Sequence, residues 1–275
     1  MKPTLAEALQ NYARGICGGL LFSLPMLYTM EIWWAGIQLH PPRQALYLLV
    51  CLVLLISYNR YAGLRCNRTW AGVLFDAVEA LGLGILLSYA LLALLGRFDP
   101  GEALPAIMGK TVVEAGLVSI GISVGKSQLG ASTEEDGMEG EEVAHTWHGQ
   151  VVFGIYGATI VAASVGPTEE IQQLADAAAW RILVLALLSI LIGLVVLYLS
   201  NFREAKVSAP RRGLPDIVGG SMISYFVALL VATVLLYVFG RFDGLTLAPV
   251  LDQIVVLGFP ASLGASAGRL MLQSS

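Results

Sequence analysis

The chain has 275 residues, of which 56% are hydrophobic and 13% are charged, and its mean hydropathy is +0.73. Soluble domains carry about 25% charged residues. A water-facing surface cannot be built from this sequence, so lipid must be the solvent for much of it. The net charge of −4 arises largely from one acidic segment. No basic patch with interleaved aromatic residues is present, which excludes nucleic acid as a partner.

Eight apolar runs follow one another along the chain. Each is long enough to cross about 30 Å of hydrocarbon as a helix of about 20 residues. They lack the alternation of β-strands and are longer than the strands of a membrane barrel. The sequence therefore predicts an all-α membrane protein of about eight transmembrane helices. The predicted spans are residues 15–36, 44–61, 70–95, 104–125, 149–171, 179–199, 214–239 and 247–270.

The positions of lysine and arginine predict the orientation of these spans. If the N-terminus is cytoplasmic, eleven of the 16 basic residues fall in inner segments and four in outer loops. The last one, Lys110, lies inside a span. This asymmetry predicts that both termini are cytoplasmic, in a multi-pass protein with an even number of crossings.

The longest polar stretch, residues 127–148, lies between the fourth and fifth spans. Its acidic residues are Glu134, Glu135, Asp136, Glu139, Glu141 and Glu142. Such a composition stays solvated and disordered. The sequence therefore predicts a cytoplasmic linker at 127–148 between a first repeat at 1–126 and a second at 149–275.

Two linked motifs recur in the two halves. Gly-Arg-Phe-Asp at 96–99 returns at 240–243, and the serine- and glycine-rich segment 119–126 matches 262–269 once a one-residue gap is allowed. A weaker match joins 29–32 to 168–171. Four helices return the chain to its starting side, so we predict two four-helix repeats of parallel orientation. The small-residue stripes favour close helix packing over a polar pathway lining.

Ionisable side chains inside hydrocarbon cost about 2.5–3.5 kcal/mol each on insertion scales, and they mark functional sites. The candidate ion- or proton-binding residues are Glu31, Glu114, Glu169, Glu170 and Asp252. Lys110 is the candidate countercharge. Because Lys110 and Glu114 are four residues apart on one helical face, a structural pair between them is the alternative interpretation.

Pro167 should break the fifth helix, because proline removes a backbone donor and clashes with the preceding turn. Two adjacent carboxylates, Glu169 and Glu170, follow that break and would need a cation, a shared proton or water. The alternative is that they start a short surface helix whose dipole favours them. Glu31 is placed just below the headgroups by the paired tryptophans Trp33 and Trp34, which are typical of the membrane interface.

The segment Phe-Ser-Leu-Pro-Met-Leu-Tyr-Thr-Met-Glu-Ile-Trp-Trp at 22–34 and Pro-Thr-Glu-Glu-Ile at 167–171 resemble a family of bacterial polytopic integral membrane proteins with a two-fold internal repeat. The resemblance covers most of the chain and implies a bacterial inner-membrane protein, with no catalytic residues to carry over. A fainter likeness is to cation antiporters built from repeated units, which have acidic motifs mid-helix in both halves. The alignment of Glu114 with Leu257 departs from that pattern.

The repeat, the proline break and the acidic residues predict an integral membrane ion transporter, for a cation and coupled to protons. The alternatives are an ion channel, as a homo-oligomer, and a non-transport membrane protein that binds a partner. The sequence has no nucleophile elbow, phosphate-binding loop or zinc-binding helix, so neither an enzyme nor a cofactor is predicted. The expected partners are the lipid bilayer and a small cation or proton.

Overall fold

A computed structural model describes residues 5–61, 69–128, 147–204 and 214–271 of the chain. Those residues form ten α-helices and no strand, which confirms the predicted all-α class. Residues 129–146, which hold nearly all of the predicted acidic linker, lie outside the described ranges.

The helices fall into two compact units, residues 1–140 and residues 141–275. The first unit contains α1 (Leu5–Leu27), α2 (Met30–Gln38), α3 (Pro41–Tyr61), α4 (Trp70–Leu94) and α5 (Leu104–Gln128). The second contains α6 (Trp147–Val165), α7 (Glu170–Ala175), α8 (Ala179–Glu204), α9 (Leu214–Val238) and α10 (Leu247–Met271). Both units follow the same order: a long helix, a short helix and three further long helices. The parallel orientation of the repeats stays a prediction.

Six of these helices, α3, α4, α5, α8, α9 and α10, are long and apolar enough to cross a membrane. The pair α1 and α2 passes the same test together, and α6 contributes a shorter apolar helix, Val151–Val165. Together these segments correspond to the eight predicted runs.

The first predicted span, residues 15–36, is wrong as a continuous helix. The chain bends by 87° between α1 and α2. Pro25 lies in the last turn of α1, and its carbonyl accepts a hydrogen bond from the Thr29 hydroxyl. Proline supplies no N–H to the preceding turn, and the Thr29 hydroxyl takes the Pro25 carbonyl while the Thr29 amide bonds Met26 O instead, so the helix ends here. The break predicted at Pro167 is confirmed, since α6 ends at Val165.

One helix forms the core of each unit. In α5, every residue from Gly109 to Gly125 except Val112 is buried, and α1, α2, α3 and α4 all pack against it. In the second unit α10 has this position, with α6, α7, α8 and α9 around it. A helix that is apolar all round is typical of such a central position.

Glycine allows the first helix of each unit to cross the central helix at backbone contact. A Cβ atom added at Gly18 would collide with the carbonyl oxygen of Gly121, and one added at Gly157 would collide with that of Gly264. Gly121 and Gly264 belong to the repeated small-residue stripes. The contacts support the packing interpretation of the stripes, because only glycine permits so close an approach.

The repeated Gly-Arg-Phe-Asp motif ends the fourth helix of each unit. Gly96 and Gly240 have φ angles of 65° and 73°, a region that glycine enters without steric cost. The amide of Arg97 then donates to Leu92 O (2.8 Å), as that of Arg241 does to Leu236 O (2.9 Å). This is the hydrogen-bond pattern of a Schellman cap.

The cap directs each arginine back towards the helix break of its own unit. The guanidinium of Arg97 lies 4.5 Å from the ring centroid of Trp33 in α2. That of Arg241 donates to the carbonyl oxygen of Pro167, between α6 and α7. In each unit the arginine of the motif therefore contacts the segment at or just after the helix break.

Candidate functional site

Glu114 lies in the buried half of α5 and has no exposed surface, at 0% relative exposure. Neither of its carboxyl oxygens has a hydrogen-bond partner. An uncompensated carboxylate in a protein interior costs several kcal/mol. This group must therefore hold a proton or a cation, or acquire a partner when it ionises.

Two aromatic side chains surround this carboxyl group. The indole of Trp33 faces it as a hydrogen-bond donor, but its Nε1 is buried and forms no hydrogen bond of normal geometry. The hydroxyl of Tyr47 in α3 lies within electrostatic reach of Glu114 and donates to Val113 O at 3.0 Å. The Trp33 N–H, which has no acceptor, therefore lies beside the Glu114 carboxyl group, which has no donor.

Glycine and glutamine position the helix that carries Trp33. Gly36 in α2 and Gly109 in α5 meet backbone to backbone, so that a Cβ on either one would collide with the other helix. The side-chain amide of Gln44 donates to Leu39 O (2.9 Å) and to Gly36 O (3.3 Å), and so satisfies carbonyls at the end of α2. These contacts hold α2 across the first half of α5.

Lys110 does not pair with Glu114. Its ammonium contacts Glu102 at 2.7 Å, with side chains 7% and 10% exposed, and donates to Arg97 O at 2.8 Å. Side chains on a helix lean towards its N-terminus, and the loop before α5 supplies Glu102 at that end. The predicted structural pair does not form, and Lys110 is neutralised without Glu114.

The Lys110 hydrogen bond also holds the pKa of Glu102 below its ordinary value. A second bond, from the Asp99 amide to Glu102 Oε2 at 3.1 Å, acts in the same direction. Both interactions favour the charged carboxylate. The Glu102 carboxylate therefore stays charged at neutral pH.

A second ion pair lies at the opposite end of the first unit. Lys126 contacts Glu79 Oε1 at 3.0 Å, and its ammonium lies 5.3 Å from the ring centroid of Tyr12. Glu79 lies in the first half of α4. Because it has a cationic partner, it is not a candidate for ion binding.

The other predicted carboxylates are more exposed to solvent than Glu114. Glu31 in α2 and Asp252 in α10 are half-buried, whereas Glu169 and Glu170 are exposed. Glu169 is the N-cap residue of the six-residue α7, and Glu170 is its first residue, which is the geometry of the surface-helix alternative. Among the described residues no three histidine, cysteine, aspartate or glutamate side chains are placed to hold a metal ion. The predicted roles of these residues stay predictions.

In the described part of the second unit, a leucine takes the place of the buried carboxylate. In the repeat alignment Leu257 occupies the position of Glu114, and Gln253 that of Lys110. Leu257 is 0% exposed and Gln253 is 2% exposed. A Cβ added at Gly166 would lie 3.3 Å from Leu257 Cδ2, so the leucine packs against the helix break.

Sequence patterns identified Glu114 and Lys110 but missed their neighbours. Tyr47 lies in an apolar run with no distinguishing signal, and Glu102 lies in a loop. The repeated motif marked Arg97 but not its contact with Trp33. The path of α2 across α5, set by Gly36 and Gly109, brings Trp33 to Glu114, and α3 brings Tyr47.

One family of proteins matches the chain. The sequence model of the family described as "Putative integral membrane protein (DUF2391)" matches residues 11–272. No curated protein and no solved structure matches the chain.

Proposed function

The chain belongs to the DUF2391 family of integral membrane proteins, and we propose that it is a membrane transporter that exchanges a cation for protons. Glu114 is the group that holds the proton or the cation in the core of the first unit. The observation that carries the proposal is the fully buried carboxyl group with no hydrogen-bond partner. No catalytic role is proposed for any residue.

The internal repeat supports a functional role for Glu114. Leucine fills the equivalent position in the second unit and packs against Gly166, so this architecture does not need a carboxylate for its stability. An ionisable residue kept in the core of a membrane helix without a structural partner marks an ion or proton pathway.

A channel lined by the serine and glycine stripes finds less support. Ser119 donates to Gly116 O and Ser262 to Phe259 O, both at 2.8 Å. Gly18 and Gly157 are in backbone contact with the central helices. These groups are engaged in helix packing, whereas Glu114 is not.

The proposal includes a location in the bacterial inner membrane, with both termini cytoplasmic. Its support is the excess of lysine and arginine in the segments assigned to the inner side. The lipid bilayer is the partner that the apolar composition requires.

The test is a flux measurement in sealed proteoliposomes that contain a trapped pH dye. Gradients of Na⁺, K⁺, Ca²⁺ and Mn²⁺ are imposed in turn on wild type, on Glu114→Gln and on Asp176→Asn, a matched control at an exposed carboxylate. We expect at least one cation to change the internal pH in wild type and in the control, and Glu114→Gln to behave as empty liposomes. The proposal would be contradicted if none of the four cations changed the internal pH of wild-type liposomes, or if Glu114→Gln kept the wild-type rate.

A further inference from the structure

The charges around Glu114 limit the ligand that its site can hold. Lys110 and Glu102 neutralise each other at 2.7 Å. Trp33 and Tyr47 contribute uncharged groups. When Glu114 ionises, its own site therefore gains a single negative charge.

Divalent cations need more ligands than the Glu114 site provides. Ca²⁺ takes about six to eight oxygen ligands, and Mg²⁺ requires near-octahedral oxygen coordination. Zn²⁺ takes about four nitrogen, sulfur or oxygen ligands. In the described part of the chain no three histidine, cysteine or acidic side chains are placed to hold a metal ion.

The charge balance leads to the same conclusion. A divalent ion bound to Glu114 alone would leave one positive charge buried and uncompensated, which is strongly unfavourable. A proton or one monovalent cation leaves the site neutral.

We propose that the Glu114 site takes one monovalent cation or one proton at a time, so that transport is a one-for-one exchange that moves no net charge. This inference rests on the proposed function and narrows its substrate to monovalent cations. The exchange step is Glu114–COOH + M⁺ → Glu114–COO⁻·M⁺ + H⁺. The carboxyl O–H bond breaks, the proton passes to water, and nothing is oxidised or reduced.

The neighbouring groups fit the two states of this step. The Tyr47 hydroxyl gives its proton to Val113 O at 3.0 Å, and its uncharged oxygen is of the type that can act as a neutral ligand to a monovalent cation. The indole N–H of Trp33 has no bonded acceptor and can only donate. It suits the ionised carboxylate rather than the cation itself.

The test uses the full-length protein in proteoliposomes with a pH dye and, in a parallel set, a potential-sensitive dye. Gradients of Na⁺, K⁺, Ca²⁺ and Mn²⁺ are applied to wild type and to Glu114→Gln. We expect Na⁺ or K⁺ to drive a Glu114-dependent pH change with no membrane potential, and Ca²⁺ and Mn²⁺ to drive none.

A Glu114-dependent pH change driven by Ca²⁺ or Mn²⁺, or a membrane potential that develops with the exchange, would overturn this inference and leave the proposed function standing. If no cation changes the internal pH of wild-type liposomes, the proposed function and this inference both fail. The Glu114→Leu variant, which copies the packing residue of the second unit, repeats the comparison with a side chain that this fold already accommodates at the equivalent position.

Discussion

At the residue scale, the orphaned indole of Trp33 and the orphaned carboxyl of Glu114 form the most specific feature of the first unit. The indole N–H lacks an acceptor and the carboxyl group lacks a donor. Once the carboxyl group ionises, each can supply the partner that the other lacks. Hydrogen bonding to the charged form of an acid favours that form. Trp33 is therefore a positioning residue that sets the pH range in which Glu114 gives up its proton.

This role predicts the effect of replacing Trp33 with phenylalanine, which keeps an aromatic ring beneath Arg97 but removes the N–H. We expect the pH of half-maximal cation-driven flux to move to higher values in Trp33→Phe, because the ionised carboxylate has lost its donor. Trp34→Phe is the matched control, since Trp34 is 57% exposed. The pH profile of liposome flux is the measurement, and equal profiles in the two variants would exclude the role.

A second prediction concerns the ion pair between Lys110 and Glu102. Glu102→Gln removes the negative charge beside a buried ammonium and leaves it with neutral oxygen partners only, which we expect to cost about 1–3 kcal/mol. Thermal unfolding in detergent measures this, with Asp99→Asn as the control because Asp99 bonds Glu102 through its backbone N–H and its backbone carbonyl. A melting temperature equal to wild type would show that the pair is not stabilising.

The pH dependence of that stabilisation follows from the lowered pKa of Glu102. A carboxyl group whose pKa is depressed by folding stabilises the fold above its unfolded pKa and loses the effect as the pH falls through the folded value. The pair should therefore contribute fully at neutral pH and fail only below the ordinary range of a glutamate. Glu102→Gln should lack this acid-dependent loss of stability.

The residues of the site could be predicted from the sequence only in part. Glu114 and Lys110 stood out because charges are rare in apolar runs. Their pairing was predicted from the spacing within α5 alone, whereas Glu102 reaches Lys110 from the preceding loop at 2.7 Å. Helical periodicity contains no information about a partner supplied by another segment.

At the element scale, the sequence predicted one helix break and missed the other. Pro167 is followed by polar residues, so the end of α6 could be predicted. After Pro25 the apolar run continues through Ile32, and hydropathy does not register an 87° change of direction. The bend became evident only from the packing of α2 on α5, at Gly36 and Gly109.

The glycine crossings lead to a prediction for both units. Gly18→Ala and Gly157→Ala each place a methyl group against the backbone of the central helix, and such overpacking costs about 1–3 kcal/mol. Gly82→Ala is the control, because no atom lies within 4 Å of a Cβ there. We expect lower melting temperatures for the first two variants only. A similar loss in all three would mean that the glycines matter for another reason.

The two short helices differ for a related reason. Where α2 meets α5 through Gly36 and Gly109, the second unit has Ala175 and Asp252 in the aligned positions. Side chains at both positions prevent the same close approach. The six residues of α7, against nine in α2, agree with that loss of contact.

At the scale of the whole molecule, two units with the same order of helices differ in their chemistry. The first unit has Glu114 in its core, and the second has Leu257. The order of elements could be predicted from the repeated motifs and the apolar runs. The chemical asymmetry could be predicted only from the alignment of these two positions, and its meaning required the surroundings of Glu114.

The asymmetry predicts opposite effects of exchanging the two side chains. Glu114→Leu should fold as well as wild type and lose cation-driven flux, because leucine is accommodated at the equivalent place. Leu257→Glu should reduce the folded yield, since it buries a carboxyl group at an insertion cost of about 2.5–3.5 kcal/mol. Size-exclusion profiles and melting temperatures in detergent compare the two variants. A well-folded Leu257→Glu would show that this depth tolerates acids without a function.

The most direct test of the central claim, that Glu114 exchanges a proton for a cation, is proton release from the purified protein in weakly buffered detergent. Sodium chloride and then potassium chloride are added to wild type and to Glu114→Leu, with choline chloride as the ionic-strength control. The account predicts that one of the two salts releases one proton per chain from wild type and none from Glu114→Leu. Equal release from both proteins, or none from wild type with either salt, would contradict it.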